Sequence, residues 1–166
     1  MTTFQLLRSL KFTQLFGLIK LFAPNPLMIY PSLKATINCW KVSNKIYSGR
    51  HHENNSANAF RHALWNALLV SEMIKWNKNF QKSLLWAKRV TDWHEEFSPN
   101  ETLARKMDLH NNSFGRNIYK ELYKKNSMVS QEEIINVLVE KAKLSKKVNS
   151  PEEISILKSS MVHITD

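Results

Sequence analysis

The sequence predicts an all-α protein: a bundle of about five core helices followed by two short C-terminal ones. Three observations carry this expectation. Apolar residues recur at three- and four-residue spacing almost throughout, which is the period of an amphipathic helix. Only 3 Gly and 5 Pro occur in 166 residues, too little turn chemistry for a many-stranded sandwich or barrel. No segment reads as a credible strand.

The elements follow in order. A first helix is expected over residues 4–22, with a broad apolar arc and with Gln5, Ser9, Thr13, Gly17 and Lys20 on the other side. Pro24-Asn25-Pro26 ends it. A second helix has Pro31 near its start and Gly49 near its end, as helix-end preferences demand. Residues 50–55 read as a polar loop. Helices are then expected over residues 56–76, 80–97 and 101–125, the middle one stopped by Ser98-Pro99. Two capping boxes, Ser130 with Glu133 and Ser150 with Glu153, open the closing pair, and Pro151 takes a first helical position. The whole of residues 1–166 reads as one domain. It has a basic segment at 1–50, a motif-bearing core at 55–125 and a helical appendage at 130–166.

Charge and composition narrow the function. The net charge is +10, from 24 Lys+Arg against 14 Asp+Glu. Residues 1–50 carry seven bases and no acid; the first carboxylate is Glu53. Such asymmetry points to an anionic small molecule or a lipid surface as partner. Nucleic acid is not the expected partner, because no aromatic platform or recognisable binding motif accompanies the bases. A composition 43% hydrophobic and 23% charged excludes a wholly disordered chain. The single cysteine, Cys39, cannot form an internal disulfide, so a reducing compartment is the simplest reading. The most apolar stretch is broken by Lys20, Pro24 and Pro26, short of the roughly 18–20 apolar residues of a membrane span, and it lacks the pattern of a signal peptide. The expected location is cytoplasmic, with peripheral membrane association as a further option.

Three segments carry polar groups that helix packing does not require. Asn58, His62 and Asn66 are spaced by four and so share one stripe of the third helix, which Leu69 and Met73 continue towards the interior. Asp92-Trp93-His94-Glu95-Glu96 places three acids at a helix C-terminus, against the dipole rule. Met107-Asp108-Leu109-His110-Asn111-Asn112-Ser113-Phe114-Gly115-Arg116 crowds poor helix formers into a helical pattern, as a functional site or a buried network would demand.

Taken together, Arg61-His62-Ala63-Leu64-Trp65, His94-Glu95 and the stretch from Met107 to Arg116 resemble an uncharacterised bacterial α-helical domain family. Its signature is RHxxW…HE…MDxxNNxxGR, and it is also similar to a domain found at the C-terminal ends of polymorphic-toxin proteins. An Asp often precedes the Ala of the first motif in that family; here the position is Asn58. The resemblance implies kinship and a helical fold, and carries no activity with it.

The residues themselves suggest a metal-assisted or His-based hydrolase acting on a phosphorylated or lipid-like substrate. His62, His94, Glu95 and Asp108 are the candidate catalytic groups, drawn from three helices of one bundle. Two imidazoles and a carboxylate, here His62, His94 and Asp108, form an ordinary ligand set for a divalent metal such as zinc with a position left for water. Without metal, a carboxylate-oriented imidazole would act as general base. Arg61, Asn112 and Arg116 are the candidate substrate-binding residues, the guanidinium groups matching an anion bidentately. The alternative is a non-catalytic membrane-surface or protein-binding module whose polar cluster fixes helix register.

Overall fold

The computed structural model describes residues 12–97 and 101–166 and is an all-α bundle. Seven α-helices lie among the described residues: α1 (Phe12–Phe22), α2 (Ile29–Tyr47), α3 (Ser56–Asn77), α4 (Phe80–Phe97), α5 (Thr102–Lys125), α6 (Gln131–Lys143) and α7 (Pro151–Ile156). Short 3₁₀ turns at Pro26–Met28 and Arg50–His52 join α1 to α2 and α2 to α3. The expected start of the first helix at Phe4 and the Ser98-Pro99 stop lie outside the described residues.

Local chemistry sets the helix ends. Ser48 (φ 48°) and Gly49 (φ 85°) take left-handed conformations just beyond α2, and Lys78 (φ 55°) does the same after α3. Asn55 caps α3, its Oδ1 accepting from the backbone N–H groups of Ala57 (3.0 Å) and Asn58 (3.1 Å). Ser130 and Ser150 cap α6 and α7 by accepting from the Glu133 and Glu153 N–H groups, as their capping boxes predict.

The core is built around α3, which packs against α2, α4, α5 and α6. Phe60, Leu64, Leu68, Leu69, Val70 and Met73 are all buried. Ile134, Leu138 and Ala142 of α6 join this same core, and Met107, Val148, Ile154 and Val162 make a second, smaller cluster. One feature was not legible in the sequence. Two residue pairs, β1 (Lys146–Lys147) and β2 (Val162–His163), form a minimal parallel ladder. It exists because the chain after α7 folds back over α5, where Asn111 pairs with Val162 as a strand would: Nδ2 donates to the Val162 carbonyl (2.8 Å) and Oδ1 accepts from its N–H (3.1 Å).

Candidate functional site

Because α3 is enclosed on most sides, its polar stripe must find partners inside the bundle. Asn58, His62 and Asn66 are all buried. The partners are brought in by a backbone-to-backbone crossing. A Cβ on Gly115 would lie 2.0 Å from the Ala63 carbonyl oxygen, so only glycine lets α5 come this close to α3. That approach sets Asn112 and Asp108, about one and two turns upstream, against the stripe.

His62 lies between two buried carboxylates from two other helices. Its Nδ1 is 3.4 Å from Glu95 Oε1 on α4, and its Nε2 is 3.3 Å from Asp108 Oδ1 on α5. Asn112 ties the first pair together: its Nδ2 donates to Glu95 Oε1 (2.9 Å) and its Oδ1 lies 3.2 Å from His62 Nδ1. Asn66 Nδ2 donates to the same Asn112 oxygen (2.7 Å). On the other pole, Arg61 Nη2 is 2.8 Å from His62 Nε2 and also donates to Asn58 Oδ1 (2.8 Å). A guanidinium can only donate, so Nε2 is the acceptor and the neutral ring carries its proton on Nδ1, facing Asn112 and Glu95. Glu95 Oε2 is buried with no hydrogen-bond donor among the described residues.

The electrostatics follow from this packing. Burial pushes the Glu95 carboxyl upward, but hydrogen bonds from His62 and the Asn112 amide, with the charge His62 and His94 carry when protonated, outweigh it and hold the group below its usual value. Burial pushes His94 down to about 4; Glu95 opposes the shift, while His62 and Arg61 add to it. Burial also lowers Arg116, against the pull of Asp92.

Beside the network lies a cavity of about 730 Å³, bounded by α1, α2, α3 and α4. Its walls are mostly apolar, with Leu18, Phe22, Leu33 and Trp40 on one side and Trp65, Val90 and Phe97 on the other. Arg61, His62 and His94 belong to the wall as well, so His62 serves both the network and the cavity. Glu95 and Asp108 do not line it and stand behind the imidazole.

Residues 19–146 match the family model described as Domain of unknown function (DUF6973). The chain belongs to this family. No curated protein and no solved structure matches it. The matched span contains the whole network described above and most of the cavity wall.

Within this family member, the helices bring together most of the residues that the sequence singles out. His62, Glu95, Asp108, Asn112 and Arg61 meet at one point, and Arg116 stands one step away, its Nη1 donating to Asn66 Oδ1 (2.5 Å). His94 does not join them. Its ring centroid is 6.5 Å from that of His62, and it packs edge-on to Trp65 at 5.1 Å. The physical reason is that α4 remains helical through Phe97, so adjacent side chains diverge by about 100° and Glu95 alone turns inward. The expected donor set of His62, His94 and Asp108 is therefore not the one assembled. His62, Glu95 and Asp108 each offer an atom within 4.8 Å of the others. Sequence reasoning missed Thr91, whose Oγ1 donates to Asn66 Oδ1 (3.2 Å). Its signal was a position four residues before Glu95 on the same face of α4. The cavity itself had no signal in the sequence.

Proposed function

We propose that the chain is a hydrolase of anionic, lipid-like substrates in which His62 acts as general base. The observation that carries this reading is a buried imidazole on a cavity wall, backed on one nitrogen by Glu95 and flanked on the other by Asp108. In the resting site Arg61 covers Nε2. A substrate phosphate or carboxylate draws the guanidinium onto itself, since a bidentate charge-assisted pair outweighs a bond to a neutral ring. Nε2 then accepts a proton from a water molecule, whose oxygen attacks the ester carbon or phosphorus, and returns that proton to the departing alkoxide. Glu95 and Asp108 stabilise the imidazolium formed between these two steps. Arg61 balances charge developing on the substrate oxygens.

A second reading, metal-assisted hydrolysis, is favoured by two observations. Glu95 Oε2 lacks a donor among the described residues, and the 3.3 Å between His62 Nε2 and Asp108 Oδ1 matches the edge of a tetrahedral shell with bonds of about 2.0–2.1 Å. Against it, Arg61 Nη2 sits between Asn58 Oδ1 and His62 Nε2, where a cation would lie. In this proposal the RHxxW…HE…MDxxNNxxGR residues define the functional centre of a bacterial, cytoplasmic domain with peripheral access to membranes.

The deciding experiment combines elemental analysis with a hydrolysis screen over carboxyl and phosphate esters of long-chain alcohols. Wild type is compared with His62→Gln and His62→Ala, and folding is followed by circular dichroism. Turnover that survives a chelator and is lost in folded His62→Gln supports the general-base reading. Near-stoichiometric divalent metal, lost in His62→Ala, transfers the proposal to the metal version. A metal-free protein that turns over none of the esters sinks both.

A further inference from the structure

The cavity has two chemically distinct parts. Apolar side chains from four helices make up most of its wall, including Leu18, Phe22, Leu33 and Phe97. Its polar corner is cationic or neutral: Arg61, His62 and His94 line it, and no Asp or Glu among the described residues does. The guanidinium and imidazole wall groups thus come from α3 and α4, with 6.5 Å between the His62 and His94 ring centroids, while α1 and α2 add the neutral Gln14, Ser32 and Thr36. Trp93, another wall residue, has a buried indole N–H without an acceptor among the described residues. A buried donor left without a partner is uncommon, and this one packs against Gly17 of α1. The volume of about 730 Å³ falls within the range of about 300–1,000 Å³ typical of small-molecule sites.

An opening is also visible. Ile19 of α1 and Ile29 of α2 line the cavity and are 55% and 41% exposed, so the wall runs out to solvent between these two helices. Arg61 belongs to a third helix, α3, and lines the same cavity. The net charge of +10, with no acid before Glu53, favours an anionic visitor along this path.

We infer that the cavity binds a single-chain anionic amphiphile, its hydrocarbon chain between α1 and α2 and its phosphate or carboxylate at Arg61. The inference deepens the hydrolase reading by naming the substrate class, and it rests on that reading only for what becomes of the ligand. Binding and turnover are separable. His62→Gln is expected to retain binding while losing turnover.

The test uses the full chain and measures affinity for decanoate, dodecanoate and tetradecanoate below their micelle concentrations, by calorimetry or dye displacement. Dodecanol and dodecylamine serve as the neutral and cationic controls. Affinity is expected to rise about fourfold per added methylene until the cavity is full, from about 0.8 kcal/mol per buried CH₂. Dodecanoate is expected to bind at least tenfold more tightly than the alcohol or the amine. Arg61→Gln should erase that preference yet keep the chain-length dependence. Leu33→Trp and Leu18→Trp fill the cavity from two different helices, so one remains informative if the other fails to fold; each should abolish binding. Equal binding of acid, alcohol and amine overturns the headgroup assignment. Undiminished binding in a folded Trp variant overturns the cavity assignment. Binding to anionic vesicles with none to the monomeric acids makes the protein a surface binder and overturns the inference. Acid binding without turnover of any ester leaves this inference standing and the hydrolase reading fallen.

Discussion

Helices α1 and α3 are both rich in apolar residues, yet the bundle uses them in opposite ways. α3 is enclosed on most sides, and its large apolar residues Phe60, Leu64, Leu68 and Met73 are all within 2% of full burial. α1 leaves Leu15, Phe16 and Ile19 exposed and turns other apolar residues towards a cavity. Its closest packing is onto α4, where Gly17 meets Trp93. The difference teaches where each helix's residues act. On α3, dense packing forces a polar stripe into a buried network that holds an imidazole between partners from two other helices. On α1, sparse packing leaves room beside that imidazole.

The sharpest way to break this comparison is at the crossing where α5 meets α3. Gly115→Ala places a methyl group 2.0 Å from a backbone oxygen and 2.6 Å from the Ala63 Cα. Neither atom can swing away as a side-chain end could, so α5 must separate from α3. Chemical denaturation should show a loss of more than about 4 kcal/mol, the range reserved for core disruption. A loss under about 1 kcal/mol would mean that the crossing does not set the network.

The next effect is pH-dependent and belongs to the boundary between the two regions. His94 titrates near 4 in the fold against an ordinary 6.5. Below pH 6.5 the unfolded chain takes up a proton that the folded chain refuses, so stability is complete above 6.5 and falls as pH drops towards 4. The total is about 3 kcal/mol, at 1.36 kcal/mol for each pH unit of the shift. Glu95, held below its ordinary 4.5, adds a contribution that is present above pH 4.5 and is lost as pH falls through its lower folded value. Melts of wild type and His94→Phe between pH 7 and 4 check this. The variant should lose the slope above pH 4.5 and keep the steep loss below it; parallel curves would refute the assignment.

Smaller effects are expected on α1. Gly17→Ala brings a Cβ within 2.4 Å of the Trp93 indole nitrogen. Here the obstacle is a side chain with open cavity beside it, so a loss of about 1 kcal/mol is expected, at the low end of overpacking costs. The Trp93 fluorescence should shift as the ring moves. Phe16→Ser, at a position 55% exposed, should change stability by no more than about 0.5 kcal/mol. A larger loss would show that α1 is as tightly built in as α3, and the contrast would collapse.

Much of this molecule was readable before any coordinate. Periodicity located the helices because burying one face of a helix imposes a 3.6-residue repeat on the sequence itself. Ser130 and Ser150 announced caps because a cap is made by residues three apart. The stripe of Asn58, His62 and Asn66 was visible for the same reason: it is geometry within one helix. The candidate cluster was legible in its membership but not in its wiring. Whether His94 or Glu95 faces His62 depends on how far α4 continues and how it is rotated against α3, and sequence spacing contains neither. Asn111 gripping Val162, Thr91 reaching Asn66 and Arg61 covering His62 Nε2 are likewise decided between elements or by rotamers that neighbouring helices select. The cavity lies furthest from the sequence, being space left between four helices that each read as ordinary amphipathic segments. Local free-energy preferences act over a few residues and leave a periodic trace in the chain. Voids, crossings and networks arise from side-chain volumes on helices far apart in sequence, and only their three-dimensional packing determines them.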